Sequence, residues 1–230
     1  SWRFPYLSSE LAVGPEAAPM VAGGLEMQVV GTTAYAFFDN QWLAEAGAYM
    51  PLGSGALEFM NVERGDKLTS PAPYWRFAYF KDLHKQAFNV GVFGFHPHIL
   101  PGRVAGPSDK YDDVGVDAGY QWLGTREHVF AVNGSYIHED RTFDASFPAG
   151  DVSKLDGTLN SINLAASYHY AKTYGLTLGF FDVHGSGDQA LYNNGEADVG
   201  SIRALPDSQG FTVQADYTPW GKEDSWGAPW

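Results

Sequence analysis

Between Gly210 and Trp220 the chain reads GFTVQADYTPW, and its hydrophobicity alternates residue by residue. Phe211, Val213, Ala215 and Tyr217 fall on one side of an extended chain, Thr212, Gln214, Asp216 and Thr218 on the other. The same pattern recurs. In DVGVDAGYQWL, Val114, Val116, Ala118, Tyr120 and Trp122 oppose Gly115, Asp117, Gly119 and Gln121; in SINLAASYHY, Ile162, Leu164, Ala166, Tyr168 and Tyr170 oppose Ser161, Asn163, Ala165, Ser167 and His169. YGLTLGF and YWRFAYF repeat it, while LEMQVVGTTAYAFF alternates less cleanly, with Glu26, Gln28 and Thr32 on the wetter side. Helical spacing fits none of these windows as well. The pattern predicts about nine or ten strands, nine of them over 25–38, 41–50, 74–80, 87–95, 113–123, 128–138, 160–170, 174–183 and 210–220.

The connections separate two kinds of sheet. Short ones, Asp39–Gln41, Lys81–Gln86, Gly124–His128 and Ala171–Thr173, alternate with long polar ones, Pro51–Pro73, His96–Asp113, Glu139–Leu159 and Gly185–Gln209. A compact water-exposed sandwich has no reason to place every long loop at one end. An up-and-down antiparallel transmembrane β-barrel does so, with tight turns on one side of an outer membrane and long loops on the other. The expected fold is therefore all-β, with residues 1–230 a single barrel region and residues 1–24 leading into it. An odd strand count leaves an open edge, which lipid does not tolerate. The expectation is that these strands belong to a larger barrel whose returning strand lies beyond the turn near Trp220–Trp226.

Composition agrees with an interfacial protein. Charged residues make up only 18% while Tyr (13) and Trp (7) are abundant, and such rings bury a body while keeping a polar atom wet. Tyr79, Phe88, Tyr120, Trp122, Phe130, Tyr170, Tyr174, Tyr217 and Trp220 gather at the short-turn ends. Trp75, Phe95, Tyr136 and Phe181 lie near the long-loop ends, so two aromatic girdles are expected. A net charge of −13 argues against nucleic acid, whose affinity comes from Lys and Arg on phosphates. No cysteine is present, which excludes disulfides and covalently attached haem within these residues. No stretch is long and apolar enough for a membrane-spanning helix, which is silent about a barrel.

The polar faces define the candidate lining: Glu26, Gln28, Glu45, Arg76, Asp117, Gln121, Asn133, Ser135, Asn163, Ser167, His169, Thr177, Thr212, Gln214 and Asp216. Carboxylates outnumber Arg76, so a water-filled interior would weakly favour cations. Interior packing without conductance is the bland alternative. His96 and His98, two apart, are a weak metal pair beside solvated loop histidines. No spacing of Ser, His and Asp makes a hydrolytic site, and no enzymatic activity is expected.

Several stretches, GPEAAPMVAGGLEMQVVGTTAYAFF, APYWRFAYFKDLHKQAFNVGVFGF, LGTREHVFAVNGSYIHE, LAASYHYAKTYGLTLGFF and YTPWGKEDSWGAPW, resemble the barrel portion of proteobacterial outer-membrane porin-like proteins labelled "cytochrome c". The best-understood relatives of that architecture are the fused cytochrome–porin iron oxidases. The resemblance implies a barrel forming the sheath of an electron conduit. Its haem c would lie in a missing N-terminal segment, and its partners would be outer-membrane lipid and periplasmic electron carriers. It rests on strand and turn wording, since the haem-attachment motif is absent here. A haem-free, weakly cation-selective diffusion channel and a soluble ligand-binding β-barrel remain the alternatives.

Overall fold

The computed structural model describes residues 17–23, 25, 28–124, 127–192 and 203–218. Nine long strands form one antiparallel meander: β1 (Val29–Phe38), β2 (Trp42–Pro51), β4 (Ala72–Asp82), β5 (Gln86–Phe95), β7 (Asp109–Trp122), β8 (His128–Thr142), β9 (Asp156–Tyr170), β10 (Tyr174–Gly185) and β11 (Ser208–Tyr217). Each lies beside its predecessor in the chain, so the sheet is up-and-down throughout. All nine correspond to the strands expected from alternation. Two short strands, β3 (Lys67–Leu68) and β6 (His98–Leu100), and three short helices, α1 (Ser54–Phe59), α2 (Ser146–Ala149) and α3 (Gln189–Tyr192), lie inside the long connections. Among the described residues β1 and β11 are the edges and do not pair with each other.

Register gives every residue a face. Arg76 and Asp117 form an ion pair of 2.7 Å across β5, which places them on one side with Glu45, the Cα partner of Arg76, and Ser135, the partner of Asp117. The remaining strands follow by period-2 alternation. The opposite side carries Val30, Trp42, Phe77, Val90, Val116, Leu164, Leu178 and Val213, all exposed. Along β10, Tyr174, Leu176, Leu178 and Phe180 are exposed while Gly175, Thr177 and Gly179 between them are half-buried. In β7 the same inversion holds, with Val114, Val116 and Ala118 exposed and Gly115 and Asp117 covered. A sheet folded in water does the reverse, because apolar area is what water drives inward.

On β7 the apolar side runs from Val114 to Trp122 and gives way to Asp112 and Lys110; on β10 it gives way to Asp182 and His184. About nine residues of tilted strand is the length needed to cross a hydrocarbon core. Aromatic rings close the short-turn border in contact with one another. Trp42 meets Tyr79 at 4.6 Å and Tyr79 meets Phe88 at 6.0 Å; His128 meets Tyr170 at 4.9 Å, Tyr170 meets Tyr174 at 6.4 Å, and Tyr174 meets Tyr217 at 5.3 Å. The girdle expected at the long-loop end needs correcting. Trp75 and Tyr136 are on the apolar side, but the register puts Phe95 and Phe181 on the polar side, one residue out of phase. Thr32 shares the apolar side with Val30, and Trp220 lies outside the described residues.

The tight turns are built from left-handed residues. Asp39 and Asn40 have φ of 49° and 51°, and Ala171 and Lys172 have φ of 53° and 57°. That geometry matches strand twist, but it suits Asn, Asp and Gly rather than Ala and Lys. The double change Ala171→Asn, Lys172→Gly is expected to stabilise the folded sheet by about 1 kcal/mol, read as a higher urea midpoint in lipid or detergent.

Candidate channel lining

Thirteen of the fifteen expected lining residues occupy the polar side: Glu45, Arg76, Asp117, Gln121, Asn133, Ser135, Asn163, Ser167, His169, Thr177, Thr212, Gln214 and Asp216. Glu26 lies outside the described residues. Gln28 is elsewhere, in the long-loop layer, where its amide nitrogen donates to Glu63 O at 2.8 Å and its oxygen accepts from Gly65 N and Arg103 Nη2. It precedes β1, so the alternation that places the others does not reach it.

The centre of the polar side is the Arg76–Asp117 bridge. Strand β5 runs between the two residues, and Gly91 is the residue beneath them. A Cβ at Gly91 would lie 3.0 Å from Arg76 Nη2 and 3.0 Å from Asp117 Oδ2, so the missing side chain is what lets the bridge cross the strand. Asp117 Oδ2 and Arg76 Nε have no protein partner. Beside them the amide oxygens of Asn89 and Asn133 flank Gly119, and Gln214 Nε2 donates to Asp216 Oδ1 at 2.7 Å. Around the bridge the polar side carries the carboxylates of Glu45 and Asp117 against the guanidinium of Arg76, while Asp216 lies beside Gly175 and His169 at the short-turn end of the same side.

Toward the long loops the same side changes character. Phe93 packs over Gly115, and Ala72, Phe95 and Ile99 form a buried cluster with Leu25 and Leu68. Val29, Tyr49, Tyr74 and Tyr111 on the wall, and Met20 and Val21 from the preceding 3-10 turn Met20–Ala22, complete it. The long connections thus fold inward at this end. Sequence reading treats them as external and polar. The signal that could have revealed the inward fold is the change on polar-side positions from Asp, Asn and Thr to Tyr and Phe.

Buried carboxylates tie the loops into a layer. Asp109, on β7, accepts from Ala145 N, Ser146 N and Ser146 Oγ and so caps α2. Asp188 accepts from the amides of Ser153, Lys154, Ala190 and Leu191 at 2.8–3.0 Å. Burial alone would raise the pKa of Asp188, but these N–H donors outweigh it and hold it below the ordinary 3.8. A depressed folded value means stabilisation that is complete above about pH 4 and lost as pH falls through the folded value. Amide exchange at Ser153, Lys154, Ala190 and Leu191 is expected to accelerate over that acid range. Asp188→Asn is expected to weaken the loop contact by about 2 kcal/mol at neutral pH.

His96 donates from Nδ1 to Asp112 at 2.8 Å and accepts from Trp75 Nε1 at Nε2, 3.3 Å away. Both ring nitrogens are engaged in the strand-end network, and His98 projects to the surface from β6. His169 is the histidine on the polar side among the described strands. The chain has no cysteine to attach a haem.

No protein-family model and no curated protein sequence matches the chain. Among solved structures it is similar to OmpT (in-vitro folded), an outer membrane protein of Vibrio cholerae, at 9% sequence identity and a TM-score of 0.42. The match covers 82% of this chain and 55% of that one, so the chain spans about half the length of that protein.

Proposed function

We propose that this chain is barrel wall in a bacterial outer membrane, with its apolar side against lipid and its polar side lining a water-filled passage that favours cations. The inverted burial along β7 and β10 carries the reading, since apolar residues there are more exposed than the polar ones opposite. A lipid environment removes the cost: each half-exposed Leu, Val or Phe that leaves water contributes about 1 kcal/mol. The passage itself is supported by the small and polar side chains opposite, and its selectivity by three carboxylates against Arg76.

The full chain reconstituted in planar bilayers under a salt gradient tests this. The expected result is stepwise conductance with a reversal potential on the cation side; an inert bilayer with the protein folded in it would sink the channel reading. Service as the sheath of a haem-bearing electron conduit is the second reading. What favours it is that the chain enters β1 from the polar side, with Met20 and Val21 bonded to wall carboxyl groups. Native protein from outer membranes, stained for haem peroxidase activity and weighed intact, separates the two.

A further inference from the structure

The 3-10 turn Met20–Ala22 is held at the long-loop end by an unusual pair of wall residues. Asp113 on β7 and Glu139 on β8 are direct Cα partners on the polar side, and both are fully buried. Two buried carboxyl groups directly opposite in a sheet cannot both ionise cheaply. Burial together with the neighbouring Glu139 pushes the Asp113 carboxyl up to about 9, so it keeps its proton at neutral pH. The buried acceptors still need donors, and these are consecutive main-chain amides. Met20 N donates to Glu139 Oε2 at 2.6 Å and Val21 N donates to Asp113 Oδ2 at 2.6 Å. From the other side Arg141 Nε donates to Glu139 Oε1 at 2.6 Å, and Arg141 Nη1 donates to the Tyr192 hydroxyl at 2.6 Å. Asp113 Oδ1 remains without a hydrogen-bond partner.

We propose that this turn is a gate: a strap latched across the long-loop mouth by Asp113 and Glu139, whose release widens the passage and bares two carboxylates at its entrance. The consequence for conductance rests on the channel reading above. Three features fit a movable strap rather than a fixed wall. Its polar anchors are two hydrogen bonds from main chain, not a ladder, and its apolar anchors are the buried Pro19, Leu25 inside the buried cluster, and Met20 and Val21 packed against it. Gly23 follows the turn at φ 141°, which L side chains rarely adopt, and no heavy atom lies within 4 Å of where its Cβ would be. The wall behind the strap is already complete, since β7 and β8 stay paired from Lys110 to Trp122 without it.

Met20→Pro tests the latch from the strap side. Pro19 has φ −57° and ψ 152°, a conformation that a following proline accepts. The first position of a helical turn suits proline, so the change removes one donor and the Met20 side chain from the strap and leaves the wall untouched. Asp113→Ala removes the other bond from the wall side. Both go into a Leu25→Cys background, where the introduced thiol is the chain's only one. For the full-length protein in lipid, that thiol is expected to label about tenfold faster in each variant, the usual effect of a lost buried hydrogen bond, with larger conductance steps. Unchanged labelling in both variants would overturn the latch. Faster labelling with unchanged conductance would overturn the gate and leave the channel reading standing. Faster labelling in a protein that never conducts would overturn the channel reading, and the gate with it.

Discussion

Leu178→Arg is expected to prevent stable assembly of the sheet in a bilayer, whereas Thr177→Arg, one residue away, is expected to be tolerated. Leu178 sits midway along the apolar side of β10, with Ala166 of β9 and Val213 of β11 as its Cα partners. An arginine at the midplane of a lipid-facing barrel strand costs about 2–4 kcal/mol, because no water or counter-charge is within reach. Thr177 lies on the other side between Ser167 and Gln214, where a guanidinium finds polar partners and the neighbouring carboxylate of Asp216. The comparison is made by electrophoresis of unheated samples after folding into vesicles, where assembled barrels migrate apart from unfolded chain. Equal behaviour of the two variants, with extraction free of detergent, would remove lipid from the account of the exposed face.

The second large effect concerns Arg76. Among the described residues it is the single fixed cation on the polar side at the height of the apolar band; it pairs with Asp117 at 2.7 Å, and Glu45 is its Cα partner on β2. Arg76→Ala leaves Asp117 without its ion-pair partner and removes the positive charge beside Glu45. One unit charge a few ångströms from a permeating ion is worth about 1 kcal/mol even in a wet interior, so the cation-to-anion permeability ratio is expected to rise about fivefold. The double change Glu45→Gln, Asp117→Asn is expected to move it the other way, to unity or below, because Arg76 is then unpaired. Reversal potentials under a fixed potassium chloride gradient read both shifts. If neither variant moves the potential, ions do not pass this face. Arg76→Ala also strands Asp117, so a stability loss of about 1–3 kcal/mol accompanies it.

Where side chains alternate with a period of two, one residue's face determines that of every other residue in the strand, and a single bridge such as Arg76–Asp117 aligns neighbouring strands. That is why Asn163, Thr177, Thr212 and Asp216 are legible from the sequence as one surface. It is also why Phe95 and Phe181 depart from expectation: aromatic identity suggests a girdle, and parity puts them inside. Gln28 departs from it because it lies before β1, where alternation carries no information. The loop layer is invisible in the sequence for a different reason. Asp109, Asp113, Glu139 and Asp188 look like solvated acids in polar loops or at strand ends, yet each has a partner 34 to 119 residues away in the chain.

By itself, the sequence determined the nine long strands, the short and long ends and the two faces, because each follows from local periodicity and turn length; the short strands β3 and β6 carry too few residues to alternate. Tertiary structure decided the rest. The long connections turn inward because Leu68 and Ile99 find apolar partners in Ala72, Phe95 and the tyrosines of the inner wall. The strap before β1 crosses the mouth because two buried carboxyl groups, opposed across a strand pair, leave acceptors that distant main-chain donors satisfy.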